Sequence, residues 1–173
     1  MKRLPVNDPE FLPELEASTL ERLASELPDP CIVVEVGTGK GNSFTAIAYG
    51  LEQHKDVKIY SVDRGECVEG RQRIKDAEVP SVWYELYQAD SVLWGFKFLL
   101  PVDMVYIDGD HTFTGLSADL ALWTDNLKVG GILAFDDYLP IHPGVMQAVD
   151  AWLKNDRWLE VANTGRLIAF RKL

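Results

Sequence analysis

The chain has 173 residues, enough for one well-filled core and too few for two comfortable domains, so a single domain is expected. Its formal net charge of −10 and isoelectric point near 4.7 argue against a surface for nucleic acid or anionic membrane, both of which need clustered Lys and Arg. No stretch approaches a membrane span, and Met1-Lys2-Arg3 leads into Leu-Pro-Val-Asn-Asp-Pro rather than the apolar run of a secretory signal. With only Cys31 and Cys67, and no Cys/His spacing that suits zinc, the expected setting is the reduced cytoplasm.

Prolines at 5, 9, 13, 28 and 30 frame a predicted helix over 14–26, with Leu15, Leu20, Leu23 and Ala24 on one face. Residues 1–30 therefore read as a docking segment over an edge of the core. Residues 31–36 form a short apolar run rich in Val, the pattern of a strand buried on both faces of a parallel sheet. Gly37, Gly39 and Gly41 let the backbone turn tightly, and a helix follows over 43–53. Strand, glycine turn and helix make a binding crevice at the carboxyl end of a first strand. A P-loop is excluded because Lys40 is followed by Gly41 and Val34 stands where its first Gly belongs. A dinucleotide fingerprint fails too, since Asn42 holds the place of its third Gly.

A second strand is predicted over 57–63, ending in Asp63, where a carboxylate can accept hydrogen bonds from both hydroxyls of a ribose; a helix-capping role is the alternative. A helix over 70–76, a strand over 82–87 and a packing helix over 91–100 follow. The fourth strand, 102–108, leads through Gly109-Asp110-His111 to a helix over 112–128 that Gly130-Gly131 should end. A fifth strand over 132–137 closes on Asp136 and Asp137. The helix over 143–154 begins with Pro and points Val145, Ala148, Val149 and Trp152 inward. Residues 158–162 and 166–171 form a hairpin about a three-residue loop at 163–165.

Asp108, Asp136 and Asp137 close two strands at the edge where such sheets bind ligands. Three converging carboxylates repel one another, and a hard divalent cation, Mg²⁺, Mn²⁺ or Ca²⁺, relieves the conflict. Asp136 and Asp137 can share one only if the chain turns there, as Tyr138-Leu139-Pro140 permits; ion pairs or helix caps are the alternative.

The stretch E-x-G-x-G-x-G from Glu35 resembles the first motif of class I S-adenosylmethionine-dependent methyltransferases. That resemblance implies that Gly37, Thr38, Gly39, Gly41 and Ser43 hold the methionine end of the cofactor, with Glu35 near its amino group. Asp63 then takes the ribose, and Ala89, Asp90 and Ser91 line the adenine, although an Asp-Ser helix cap explains Asp90 and Ser91 nearly as well. The runs Y-I-D-G-D-H, A-D-L-A-L-W and L-K-V-G-G-I-L-A-F-D-D-Y, followed by H-P-G-V-M-Q-A-V, look like the small-molecule O-methyltransferases of macrocin and catechol type. The likeness covers residues 31–170. It implies a three-layer, Rossmann-like α/β sheet, mostly parallel with a C-terminal antiparallel hairpin, in a methyltransferase domain over 31–173. It further implies a divalent metal, Mg²⁺ by expectation, on Asp108, Asp136 and Asp137, with Asp108 also beside the cofactor.

His111 stands where the catechol type has a lysine base, and with Asp108 it forms the candidate catalytic pair; Asp110 and His142 are other candidate bases. The longer N-terminal region and the insertions that close over the acceptor in that family are missing here. A homodimer is therefore expected to cover part of the pocket, the five tryptophans offering surface for it. The reading is S-adenosylmethionine-dependent methylation of an oxygen on a small molecule. A non-catalytic cofactor-binding protein of the same fold is the alternative, and a nicotinamide oxidoreductase is disfavoured by Asn42.

Overall fold

The computed structural model describes residues 1–5, 12–154 and 157–173. Five strands run parallel: β1 (Cys31–Val36), β2 (Val57–Asp63), β3 (Tyr84–Gln88), β4 (Val102–Ile107) and β5 (Leu127–Phe135). β6 (Trp158–Asn163) and β7 (Ile168–Lys172) turn back antiparallel, giving the order β3-β2-β1-β4-β5-β7-β6. Parallel neighbours need a crossover, and helices supply it; the last two strands need only a turn. The order reverses between β1 and β4, and there the strand ends part to leave a crevice.

α1 (Glu14–Ser25), α2 (Asn42–Gly50) and α3 (Val68–Asp76) cover one face of the sheet, while α4 (Ser91–Gly95), α5 (Phe113–Asn126) and α6 (Pro143–Trp152) cover the other. Side chains alternate along each strand, so both faces are apolar. Val33, Ile59, Met104 and Ile132 meet the first helical layer, and Val34, Val62, Val105 and Leu133 meet the second. Among the described residues no helix is long and apolar enough to cross a membrane.

Several boundaries differ from the sequence reading. In α1 the buried stripe is Glu16, Leu20, Leu23 and Ala24, whereas Leu15 is 59% exposed. Spacings of four and seven from Glu16 make that stripe, and its carboxylate is drawn inward by the Thr164 hydroxyl at 2.8 Å. The helix expected over 91–100 stops at Gly95; Pro101 disfavours helical backbone at Leu100, and Phe96 and Leu99 face solvent. Gly130 and Gly131 do not end a helix. α5 passes into β5 at an extended Leu127, and Gly130, with φ of +82°, lies inside that strand. β3 begins at Tyr84, after a 3₁₀ turn at Ser81–Trp83 that leaves Val82 exposed. The hairpin loop is four residues, 164–167, so Arg166 belongs to the turn and not to a strand.

The tryptophans pack largely inward. Trp123 is fully buried with Trp94 and Phe98 against it at 5.8 and 5.7 Å, and Trp152 meets Trp158 at 4.2 Å with the rings tilted. α1 and α2 meet closely at Gly50, where a Cβ would lie 2.2 Å from the Glu21 carbonyl oxygen and 2.8 Å from the Ala24 Cβ. Ala is the better helix former, so a gain would follow from propensity alone; the clash with backbone outweighs it. Gly50→Ala is expected to lower stability by about 1–3 kcal/mol, read in urea as a lower midpoint with unchanged slope.

Candidate functional site

The crevice begins with Gly37, whose φ is +96° and whose Cβ, if present, would stand 2.0 Å from the Asp108 carbonyl oxygen. Only glycine meets both demands. The Gly37 N–H donates to the Val62 carbonyl and the Asp108 N–H to the Val36 carbonyl, both at 2.8 Å, so the ends of β1, β2 and β4 are knitted together here. Asp63 straps the turn from the side: Oδ2 accepts from the Gly39 N–H at 3.1 Å and Oδ1 from the Gly65 N–H at 2.7 Å. Burial alone would raise its pKa, but bonds from the Gly65 and Gly39 N–H groups and the Cys67 thiol hold it below the ordinary value. Asp63 is therefore ionised, and a carboxylate has lone pairs left for a ligand.

Two cavities open on either side of this turn. The first, of about 200 Å³, is lined by Val62, Asp63, Arg64, Ala89 and Ser91. The second, of about 260 Å³, is lined by the glycine turn with Ser43, Tyr106, His111, Asp137 and Arg166. Both share Gly37, Asp63, Asp108 and Gly109. Of the expected cofactor residues, Gly37, Thr38, Gly39, Gly41, Ser43 and Asp63 line the second cavity, and Ala89 and Ser91 the first.

Glu35 and Asp90 line neither cavity. Asp90 caps α4, its Oδ1 accepting from the Val92 and Leu93 N–H groups at 3.1 and 3.0 Å, and its Oδ2 pairs with Arg64 at 2.8 Å. Glu35 lies fully buried behind the turn, accepting from the Ser43 and Ser61 hydroxyls at 2.7 and 2.5 Å. Burial pushes its pKa up to about 8, with the two hydroxyls opposing. It touches the crevice through Ser43.

The acidic end is built by β4, β5 and the last hairpin. The backbone turns at Asp137, where φ is +54°, so Asp136 and Asp137 do reach the same side. Between them stands Arg166, a residue that sequence reasoning left in a strand. Its Nε and Nη2 donate to Asp136 Oδ1 and Oδ2 at 3.1 and 3.3 Å, and Nη2 also reaches Asp137 Oδ1 at 3.1 Å. Asp136 is nonetheless pushed up to about 6, by burial first and the Asp108 charge second, against the pull of Arg166.

His111 Nε2 is 3.4 Å from both Asp108 Oδ1 and Asp137 Oδ2, and its ring meets that of His142 edge-on at 4.7 Å. His142 Nε2 is 3.5 Å from the same Asp137 oxygen. The hydrogen bond to Asp108 raises the His111 pKa above its ordinary value, and partial burial opposes that rise. Asp110 caps the following turn by accepting from the Thr112 N–H.

The donor sets decide which groups fit. Tyr106 Oη and both polar atoms of the Asn42 amide are buried without a partner and belong to the wall of the second cavity. An amide can donate to a carboxylate and accept from an ammonium, so these atoms suit the amino-acid end of S-adenosylmethionine, as Asp63 suits its ribose. The three-acid metal set fits less well. Both oxygens of Asp136 and one of Asp137 are already bound by Arg166, which a cation on all three acids would have to displace. Among the described residues, the group whose possible ligand atoms gather within 4.8 Å is His111, Asp137 and His142.

A mostly parallel sheet closed by an antiparallel hairpin, with a glycine turn at its switch point and an acid ending β2, defines a class I S-adenosylmethionine-dependent methyltransferase fold. Residues 34–138 match the family model described as a methyltransferase domain, and the chain belongs to that family. It is 29% identical over 147 residues to the uncharacterized protein R132 of Acanthamoeba polyphaga mimivirus, a match covering 76% of this chain and 63% of that protein. In structure it is similar to an rRNA methylase from Streptococcus thermophilus, with a TM-score of 0.69, 20% identity and coverage of 98% and 99% of the two chains. It is also similar to an O-methyltransferase from Bacillus cereus in complex with S-adenosylhomocysteine, with a TM-score of 0.68, 17% identity and coverage of 98% and 84%. At such identities the likeness carries the fold.

Two outcomes follow from the strap and the buried acid. Asp63→Ala should weaken S-adenosylhomocysteine binding by about 1.5–3 kcal/mol, measured calorimetrically; unchanged affinity would remove Asp63 from the site. Glu35 has a folded pKa above its unfolded one, so its contribution to stability is full at low pH and fades as pH rises through about 8. The thermal midpoint of the ligand-free wild type should therefore fall from pH 5 towards pH 8 more steeply than that of Glu35→Gln.

Proposed function

We propose that this chain transfers a methyl group from S-adenosylmethionine to a hydroxyl oxygen of a small molecule. One observation carries the reading: the glycine turn and His111 line the same cavity, so a base candidate faces the place where the cofactor's amino-acid end belongs. When bound, the cofactor supplies a methyl group on a positively charged sulfur, which needs little covalent help. What the protein adds is alignment and removal of the acceptor proton. His111, partly exposed in the cavity wall, takes that proton, and the carboxylates of Asp108 and Asp137 at 3.4 Å stabilise the imidazolium that forms. The likeness to the Bacillus cereus O-methyltransferase supports oxygen as the acceptor atom, and the net charge of −10 supports a small acceptor over RNA. Arg166 already occupies the acids that the sequence resemblance assigns to a divalent metal.

His111 must be neutral to accept a proton. Because its pKa is raised, turnover should climb with pH through a midpoint above the ordinary 6.5 of histidine. His111→Ala should lose about 10²–10⁴-fold in turnover while S-adenosylhomocysteine still binds. The check is release of S-adenosylhomocysteine from S-adenosylmethionine across a panel of hydroxylated small molecules. Cofactor binding without release for any of them, or full activity in His111→Ala, would favour a cofactor-binding protein without this chemistry, or another base.

A further inference from the structure

The sequence resemblance puts a divalent cation on Asp108, Asp136 and Asp137, yet the structure puts a guanidinium there. We propose that Arg166 is the resident cation of this crevice, compensating Asp136 and Asp137 in place of a divalent metal, and that these acids become a metal site only when its charge is removed. This deepens the methyltransferase reading and rests on it for the meaning of the crevice.

The geometry is that of a built pair. Nε and Nη2 meet the two oxygens of Asp136 side by side, the fork arrangement that a carboxylate and a guanidinium form best, and Nη2 then bridges to Asp137. The Asp136 side chain has no exposure and that of Arg166 only 20%, so water screens the pair weakly. A dication on the same carboxylates would lie a few ångströms from a guanidinium that cannot deprotonate.

Arg166 is also held from its backbone. Its carbonyl oxygen accepts from the Tyr138 N–H at 2.9 Å, tying the hairpin turn to the segment that carries both acids. The turn is set by Thr164, whose hydroxyl donates to Glu16 Oε1 at 2.8 Å and accepts from the Leu167 N–H at 3.0 Å. The third acid, Asp108, faces His111 instead. Each carboxylate of the expected metal set thus has a partner from this chain.

The test is calorimetric titration of Mn²⁺ and Mg²⁺ into the protein saturated with S-adenosylhomocysteine. Wild type should show no saturable divalent binding up to low millimolar concentration. Arg166→Gln, which exposes the acids, should gain Mn²⁺ affinity by about tenfold or more, and adding Asp136→Asn should remove the gain. Arg166→Lys, which keeps the charge and loses the fork, should stay close to wild type. Saturable Mn²⁺ binding by wild type that Asp136→Asn abolishes would overturn the proposal, as would a folded Arg166→Gln chain that gains nothing. Wild-type binding lost on His142→Ala would overturn it as well, by placing the ion on His111, Asp137 and His142. If Arg166→Gln fails to fold by circular dichroism, wild type against Asp136→Asn decides: absent saturable binding supports the proposal and Asp136-dependent binding overturns it. Failure of S-adenosylhomocysteine to bind would count against the methyltransferase reading alone, and the same titration on the ligand-free chain would still decide the role of Arg166.

Discussion

The carbonyl oxygen of Asp108 occupies the space in which any side chain at residue 37 would have to lie, and the crevice depends on that contact. Because the two backbones touch, the end of β1 and the end of β4 are fixed relative to each other before any ligand arrives. Asp63 then pins the turn from the β2 side, and one continuous edge carries a cavity on either side of it. A protein that binds a methyl donor must place a sulfur and an acceptor within a narrow distance of each other. Fixing the strand ends by main-chain contact does so without relying on flexible side chains.

The same edge gathers acids that would destabilise a folded chain if left alone, and each is handled by different chemistry. Glu35 is covered by serine hydroxyls and favours its proton. Asp63 is held charged by main-chain N–H groups. Asp136 takes a guanidinium. Hydroxyls leave a carboxyl able to exchange its proton, N–H groups leave it a permanent acceptor, and a shared guanidinium offsets part of its charge. The crevice uses all three within one sheet edge.

Much of this was legible in the sequence because its causes are local. Continuous Val-rich runs bounded by Gly and Asp marked the parallel strands, and β1 and β2 have the predicted bounds. The spacing of Gly37, Gly39 and Gly41 marked the turn, and the class I methyltransferase fold followed from the resemblance. What escaped depends on contacts between distant residues. Glu35 and Asp90 carry the right residue types for a ligand, but neighbouring hydroxyls and N–H groups engage them, and spacing cannot show which way a carboxylate is already satisfied. Gly130 looked like a helix stop because its positive φ is shared by helix ends and strand irregularities alike. Arg166 had no local signal at all; only the demand that a buried Asp136, thirty residues earlier, find a counter-charge would have pointed to it.

The hairpin turn that carries Arg166 is clasped by Glu16, a residue 148 positions upstream in the first helix. The counter-charge for residues 136 and 137 is therefore in place only once the first helix and the last hairpin have met.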